Sequence, residues 1–103
     1  MAEFNLPFRA DMKAAVLAGK KTCTSRMKKY CDPGDTFRLD GRVFKVWLVE
    51  ATTLGGVREV HFKAEGCESP ADFERVWCEI HPRKGFYEHQ RVYVHHFEEV
   101  VVP

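Results

Sequence analysis

Residues 36 to 50 carry the most restrictive instruction in this chain. Two β-rich runs, 36–39 and 42–50, meet at Asp40-Gly41. A two-residue connection ending in glycine suits a turn with positive φ at both central positions, so the runs are predicted to fold back as an antiparallel hairpin. The second run, Val43-Phe44-Lys45-Val46-Trp47-Leu48-Val49, is apolar in both alternating sets, which predicts a strand in the middle of a sheet. Asp32-Pro33-Gly34-Asp35 is a turn signal just ahead of the hairpin.

The flanking segments extend this frame. Phe8, Met12, Ala15 and Val16 recur at helical spacing, with Pro7 suited to a first turn and Gly19 to a stop, which predicts a helix over 7–18. Gly55-Gly56 is expected to break the chain, and 57–63 to form a further strand. Ser69 is a natural N-cap, Pro70 fits the first turn, and Phe73, Val76, Trp77 and Ile80 follow at helical intervals. Residues 91–101, rich in Val, Tyr and Phe, read as the last strand. Four or five strands and two short helices can bury both sheet faces only if the sheet curls. The predicted fold class is therefore α+β, a small partly closed β-barrel with two short helices closing its ends.

With 103 residues the chain has the length of one domain, 1–103, and 45% hydrophobic residues, eight of them Phe, can fill its core. No apolar run approaches the ~20 residues of a membrane span, and the first residues lack the charged head and apolar stretch of a signal peptide. Cys23, Cys31, Cys67 and Cys78 form no CxxC pair, so reduced thiols and a cytoplasmic location are expected, with no membrane partner. The net charge is only +1, but Arg9, Lys13, Lys20, Lys21, Arg26, Lys28 and Lys29 stand against Asp11 alone. Acids dominate from Glu65 to Glu99. That asymmetry favours a basic patch facing phosphate-bearing partners, beside the plainer alternative of an ordinary solvated surface.

The densest polar string is Gly19-Lys20-Lys21-Thr22-Cys23-Thr24-Ser25-Arg26. It combines cationic charge, hydroxyls and a guanidinium fork, which suits phosphate, carboxylate or a nucleobase edge. As a strand it would place Thr22, Thr24 and Arg26 on one face and Cys23 and Ser25 on the other. The direction of Lys21 depends on the bend after Gly19.

This string resembles the signature of the ASCH domain, in which a helix ends in Gly-x-Lys-Thr followed by x-Thr-x-Arg. The resemblance continues through Pro33-Gly34-Asp35-Thr36-Phe37, Ala64-Glu65-Gly66, Ser69-Pro70-Ala71-Asp72-Phe73, Trp77, His81-Pro82 and Val92-Tyr93-Val94-His95-His96-Phe97. It implies a PUA-like β-barrel with a basic cleft that holds RNA or a nucleoside or nucleotide. It also implies an alternative, since some small bacterial ASCH proteins are metal-independent amidohydrolases that remove the acetyl group from N-acetylated cytidine. Their catalytic lysine and threonine match Lys21 and Thr24. Their glutamate falls at Glu65, with Glu68 as the competing choice. A threonine hydroxyl needs a base to become a nucleophile; a desolvated lysine, a carboxylate and an arginine facing developing negative charge would complete the chemistry. Lys20, Thr22 and Arg26 are the matching candidates for ligand binding.

No cofactor is expected. Cys67, Cys78 and His81, or His95 and His96, could be forced into a zinc pattern. Neighbouring strand residues point apart, however, and a second ligand pair is missing, so buried cysteines, surface histidines and no metal are expected. Trp47, Trp77, Phe86, Tyr87 and Tyr93 could each stack a base. Phe86 and Tyr87 are the preferred candidates because they sit in a loop. A module that binds a protein partner and no small ligand is the remaining reading.

Overall fold

The computed structural model describes residues 2–101; Met1, Val102 and Pro103, the ends of the expected 1–103 domain, lie outside the described residues. The helix α1 (Ala10–Leu17) leads into β1 (Cys23–Arg26), and β2 (Thr36–Leu39) and β3 (Arg42–Thr53) form the predicted hairpin. Asp40 and Gly41 both take positive φ, 51° and 78°, as that two-residue turn requires. β4 (Arg91–Glu99) inserts between β1 and β3, giving one antiparallel half-barrel sheet in the order β1-β4-β3-β2. The helix α3 (Pro70–Ile80) starts at the predicted cap, where Ser69 Oγ accepts the Asp72 N–H at 3.0 Å. Asp72 in turn accepts from the Glu68 N–H, one residue outside the cap.

Two expectations fail in instructive ways. Residues 57–63 are not a strand. The chain turns helical at α2 (Leu54–Gly56) and continues as a π-helical turn over Val57–His61. Val57 is buried and Val60 faces solvent, so β-branched residues here serve a helical face and tertiary packing overrides their propensity. Gly55-Gly56 does not break the chain either. A Cβ on Gly56 would stand 2.8 Å from Thr52 Oγ1, so the glycine permits a close approach. The helix count consequently exceeds the two expected. The run in β3 predicted to lie in the middle of the sheet does so, between β4 and β2, but it carries a β-bulge between Val46 and Leu48, where Trp47 and Leu48 are exposed.

Strand alternation sorts the interior into two clusters. Phe37, Phe44, Val46 and Phe97, with Leu6, Val16 and Cys31, fill one side of the sheet. Cys23, Val92 and Val94 face the other, under Leu54, Val57, Phe73, Val76 and Trp77. No helix among the described residues is long and apolar enough to cross a membrane.

Candidate functional site: a cleft floored by a buried ion pair

Beyond Gly19 the backbone pairs with the loop that precedes α3. The Thr22 and Cys23 N–H groups donate to Ala64 O at 2.7 and 3.2 Å, and Lys21 and Glu65 form an antiparallel bridge. This pairing settles the direction of Lys21. Its Nζ donates to Glu65 Oε1 at 2.6 Å and to Glu65 O at 3.0 Å, and both residues are 4% exposed. Ser25 Oγ donates to the other carboxylate oxygen, Oε2. Gly66, at φ 88°, allows this contact, because a Cβ there would lie 3.2 Å from Lys21 Cβ and 3.3 Å from Ala15 Cβ.

The pair floors a cavity of about 150 Å³. One wall is the segment before α1, with Pro7, Phe8 and Arg9; the opposite wall is α3, with Phe73, Val76 and Trp77. Arg9 ties the walls together by reaching Glu79 at 2.9 Å while also pairing with Asp11 at 2.7 Å. Thr24 and Arg26 enter from β1. Arg26 Nε donates to Thr24 Oγ1 at 3.1 Å, its NH2 donates to Pro7 O at 2.9 Å, and its guanidinium carbon lies 5.0 Å from the centre of the Phe8 ring. Among the described residues Arg26 makes no ion pair. Burial pushes this guanidinium below its ordinary value, with Glu65 acting in the opposite direction.

Two further titratable groups meet the cavity. Burial, then the charge of Asp72, raises the Cys67 thiol to about 11, so it is no thiolate nucleophile at neutral pH. Burial, Lys84 and Arg26 push His81 down from its ordinary value, and its ring lies over Trp77 with centroids 4.2 Å apart. Behind the site His95 is fully buried. Its Nε2 accepts the Tyr30 N–H at 3.1 Å, so Nδ1 carries the proton and donates to Thr24 O at 3.3 Å.

Among the sequence candidates, Lys21, Thr24, Arg26 and Glu65 therefore converge. Glu68 is exposed, which separates it from Glu65. Lys20 is exposed, and Thr22 lines a separate shallow hollow with Val16, Gly19 and Arg42. Phe86 packs into the core against Phe73 and beneath Arg58, and Tyr87 is 65% exposed; neither lines the cavity. The rings that line the cavity are Phe8, Phe73 and Trp77 instead. Ser25 and His81 went unassigned to the site. Alternation does place Ser25 beside Lys21, but only the fold shows both facing Glu65. The histidines of β4 are not on the surface, because His95 is enclosed and His96 is largely covered.

No protein-family model matches the chain, and no curated protein matches it. Solved structures do. An ASCH domain from Lactobacillus crispatus JV V101 superposes with a TM-score of 0.73 at 14% identity, over 95% of this chain and 78% of that one. A protein from Enterococcus faecalis V583, labelled DUF984, gives 0.62 at 22% identity, over 87% and 67%. A Pyrococcus furiosus protein solved by NMR gives 0.61 at 12% identity, over 98% and 96%. At such identities the likeness is one of fold: the chain has an ASCH-like, PUA-like α+β architecture.

Proposed function

We propose that this cleft binds a nucleoside, or an unstacked base of an RNA, with the base between its apolar walls and a polar edge toward Arg26. One observation carries the reading: among the described residues the Arg26 guanidinium has no carboxylate partner, and it lines an otherwise largely apolar slot. The other cations of the slot, Lys21 and Arg9, are already paired with acids. A single free cation supports one oxygen or phosphate contact, and aromatic walls support stacking. Cytidine, its phosphate and a short single-stranded RNA, titrated at low and high salt, test this. Phosphate-bearing ligands should lose affinity as salt rises, while the free nucleoside changes little. Absence of binding by all three would refute it.

A second reading is favoured by the buried Lys21–Glu65–Ser25 network beside the Thr24 hydroxyl: hydrolysis of the acetyl amide of N-acetylated cytidine. Burying an ion pair stabilises little over an apolar equivalent, so its place at the floor of a cleft supports a chemical role. In this scheme Thr24 Oγ1 attacks the amide carbon and its proton passes to the Glu65 carboxylate. Arg26 faces the oxygen that becomes negative. Lys21 gives a proton to the departing cytidine nitrogen as the C–N bond breaks, and is reprotonated through Glu65. Water then releases acetate and restores the Thr24 hydroxyl. Incubation with N-acetylcytidine should yield cytidine and acetate. Turnover that survives Lys21→Ala or Thr24→Ala would sink this scheme without touching the binding proposal.

A further inference from the structure

A second constellation of chemically able side chains lies outside the cleft. Glu50 lies on β3, His61 in the π-helical turn and His96 on β4. Both imidazole Nε2 atoms aim at one carboxylate oxygen, Glu50 Oε1: His96 at 2.7 Å and His61 at 3.0 Å. The three ligand atoms lie within 4.8 Å of one another. The side chains are 39%, 22% and 12% exposed for Glu50, His61 and His96, so the cluster is held firmly yet reached from solvent.

We propose that Glu50, His61 and His96 form a binding site for a divalent first-row transition cation, with zinc as the representative. Two imidazoles and one carboxylate are a borderline-soft donor set that suits zinc, copper, nickel or cobalt and disfavours magnesium and calcium, which take oxygen ligands. The geometry is close to ready. Ligands at ~2.0–2.1 Å from a tetrahedral zinc stand about 3.3 Å apart, so the two separations from Glu50 Oε1, 2.7 and 3.0 Å, need to open by roughly half an ångström or less, while the two imidazole nitrogens already lie within 4.8 Å of each other. A rotation of the half-exposed carboxylate supplies that movement. The donors come from two paired strands and one turn already packed on them, so little chain has to be ordered when the ion enters. Three protein ligands leave a fourth position for water. The ion would clamp the turn that carries Glu65, because the Glu65 N–H donates to His61 O at 2.9 Å.

Trp47 reports on the site, its ring centroid lying 5.3 Å from that of His96. Titration of the metal-free protein with zinc should show one equivalent by calorimetry, with no comparable heat from magnesium. Copper should quench Trp47 fluorescence, and Trp47→Phe should remove that part of the signal. Altering an outer partner of a metal ligand typically costs 10–100-fold in affinity, so His61→Ala or the shape-conserving Glu50→Gln, which removes a direct ligand, should weaken zinc binding at least about 100-fold. The two variants sit on different elements, and each is checked for a native circular dichroism spectrum. The proposal is overturned if zinc binds no more tightly than magnesium, or if the Glu50→Gln/His61→Ala double variant binds zinc as the wild type does. The latter result would place the ion elsewhere on the chain.

Discussion

The two sides of the sheet are built from the same strands by different rules. On one side Phe37 stacks on Phe44 with centroids 5.4 Å apart, and Phe97 meets both rings edge-on at 5.1 and 5.9 Å. Phe8 adds a further ring over Phe37 and Phe97. Aromatic pairs in such offset and edge-on arrangements contribute beyond the area they bury. On the other side Val92, Val94 and Cys23 begin an ordinary apolar layer, but beside it stand Lys21, Ser25 and Glu65, and the layer opens into the cleft. The difference teaches where this molecule gives up packing: a sealed face maintains the fold, and an incompletely sealed one leaves polar groups within reach of a ligand.

The most damaging change should be Phe37→Ala on the sealed side. Removing a fully buried ring from a four-ring cluster is expected to cost about 3–5 kcal/mol, read as a lower urea midpoint, while the molecules that remain folded keep their ligand affinity. A matching loss of affinity in those molecules would mean that the two sides are not separable. On the open side, Glu65→Ala strands an ammonium in the interior and should cost about 3–5 kcal/mol as well. Here the paired replacement Lys21→Met/Glu65→Leu should regain most of that stability and still abolish turnover of N-acetylcytidine. A double variant as unstable as the single one would show that the pair serves the fold and not the site.

Much of the sealed side was legible in the sequence because its information is local. The Asp40-Gly41 turn sets the hairpin register, and from it Phe37 is paired with Phe44. The Ser69 cap likewise follows from neighbouring residues alone. The open side was legible in part. Lys21, Thr24 and Arg26 lie within one short string, but their convergence with Glu65 depends on a backbone bridge across 44 residues. Glu68, three residues on, differs from Glu65 only in which way the turn carries it. Phe86 and Tyr87 stand clear of the cavity, because loop position says nothing of packing: Phe86 fills the space between Phe73 and the Arg58 guanidinium. The Glu50–His61–His96 cluster was invisible, since it joins three elements, one of which reads as a strand in the sequence and is a helix in the fold.

A smaller effect is expected where the two sides touch. Arg26 lies over Phe8, whose ring belongs to the sealed cluster and also walls the cleft. Arg26→Lys keeps the charge but loses the planar fork, so folding should weaken by only about 0.5–1 kcal/mol. Affinity for a nucleotide should fall by about tenfold or more, the cost of one charge-assisted contact of roughly 1.5 kcal/mol. Stability and affinity falling in the same proportion would contradict the division of labour between Phe8 and Arg26.

The gentlest probe is proton uptake at His81, the one imidazole on the cleft wall. Its depressed value comes first from burial and then from Lys84 and Arg26, so its ring proton should exchange at a lower pH than that of a free histidine, followed by NMR. The sign for stability follows. Below about pH 6.5 the unfolded chain takes up this proton before the folded one does, so folding stability declines as pH falls and levels off once the folded imidazole is also charged. Lys84→Ala removes one of the two repelling cations and should shift the folded titration upward, shrinking that decline without disturbing the sealed side. Ligand in the cleft sharpens the comparison: a base placed against Trp77 deepens the burial of His81 and should push its titration lower still. A titration indifferent both to Lys84 and to bound nucleoside would remove His81 from the cleft wall.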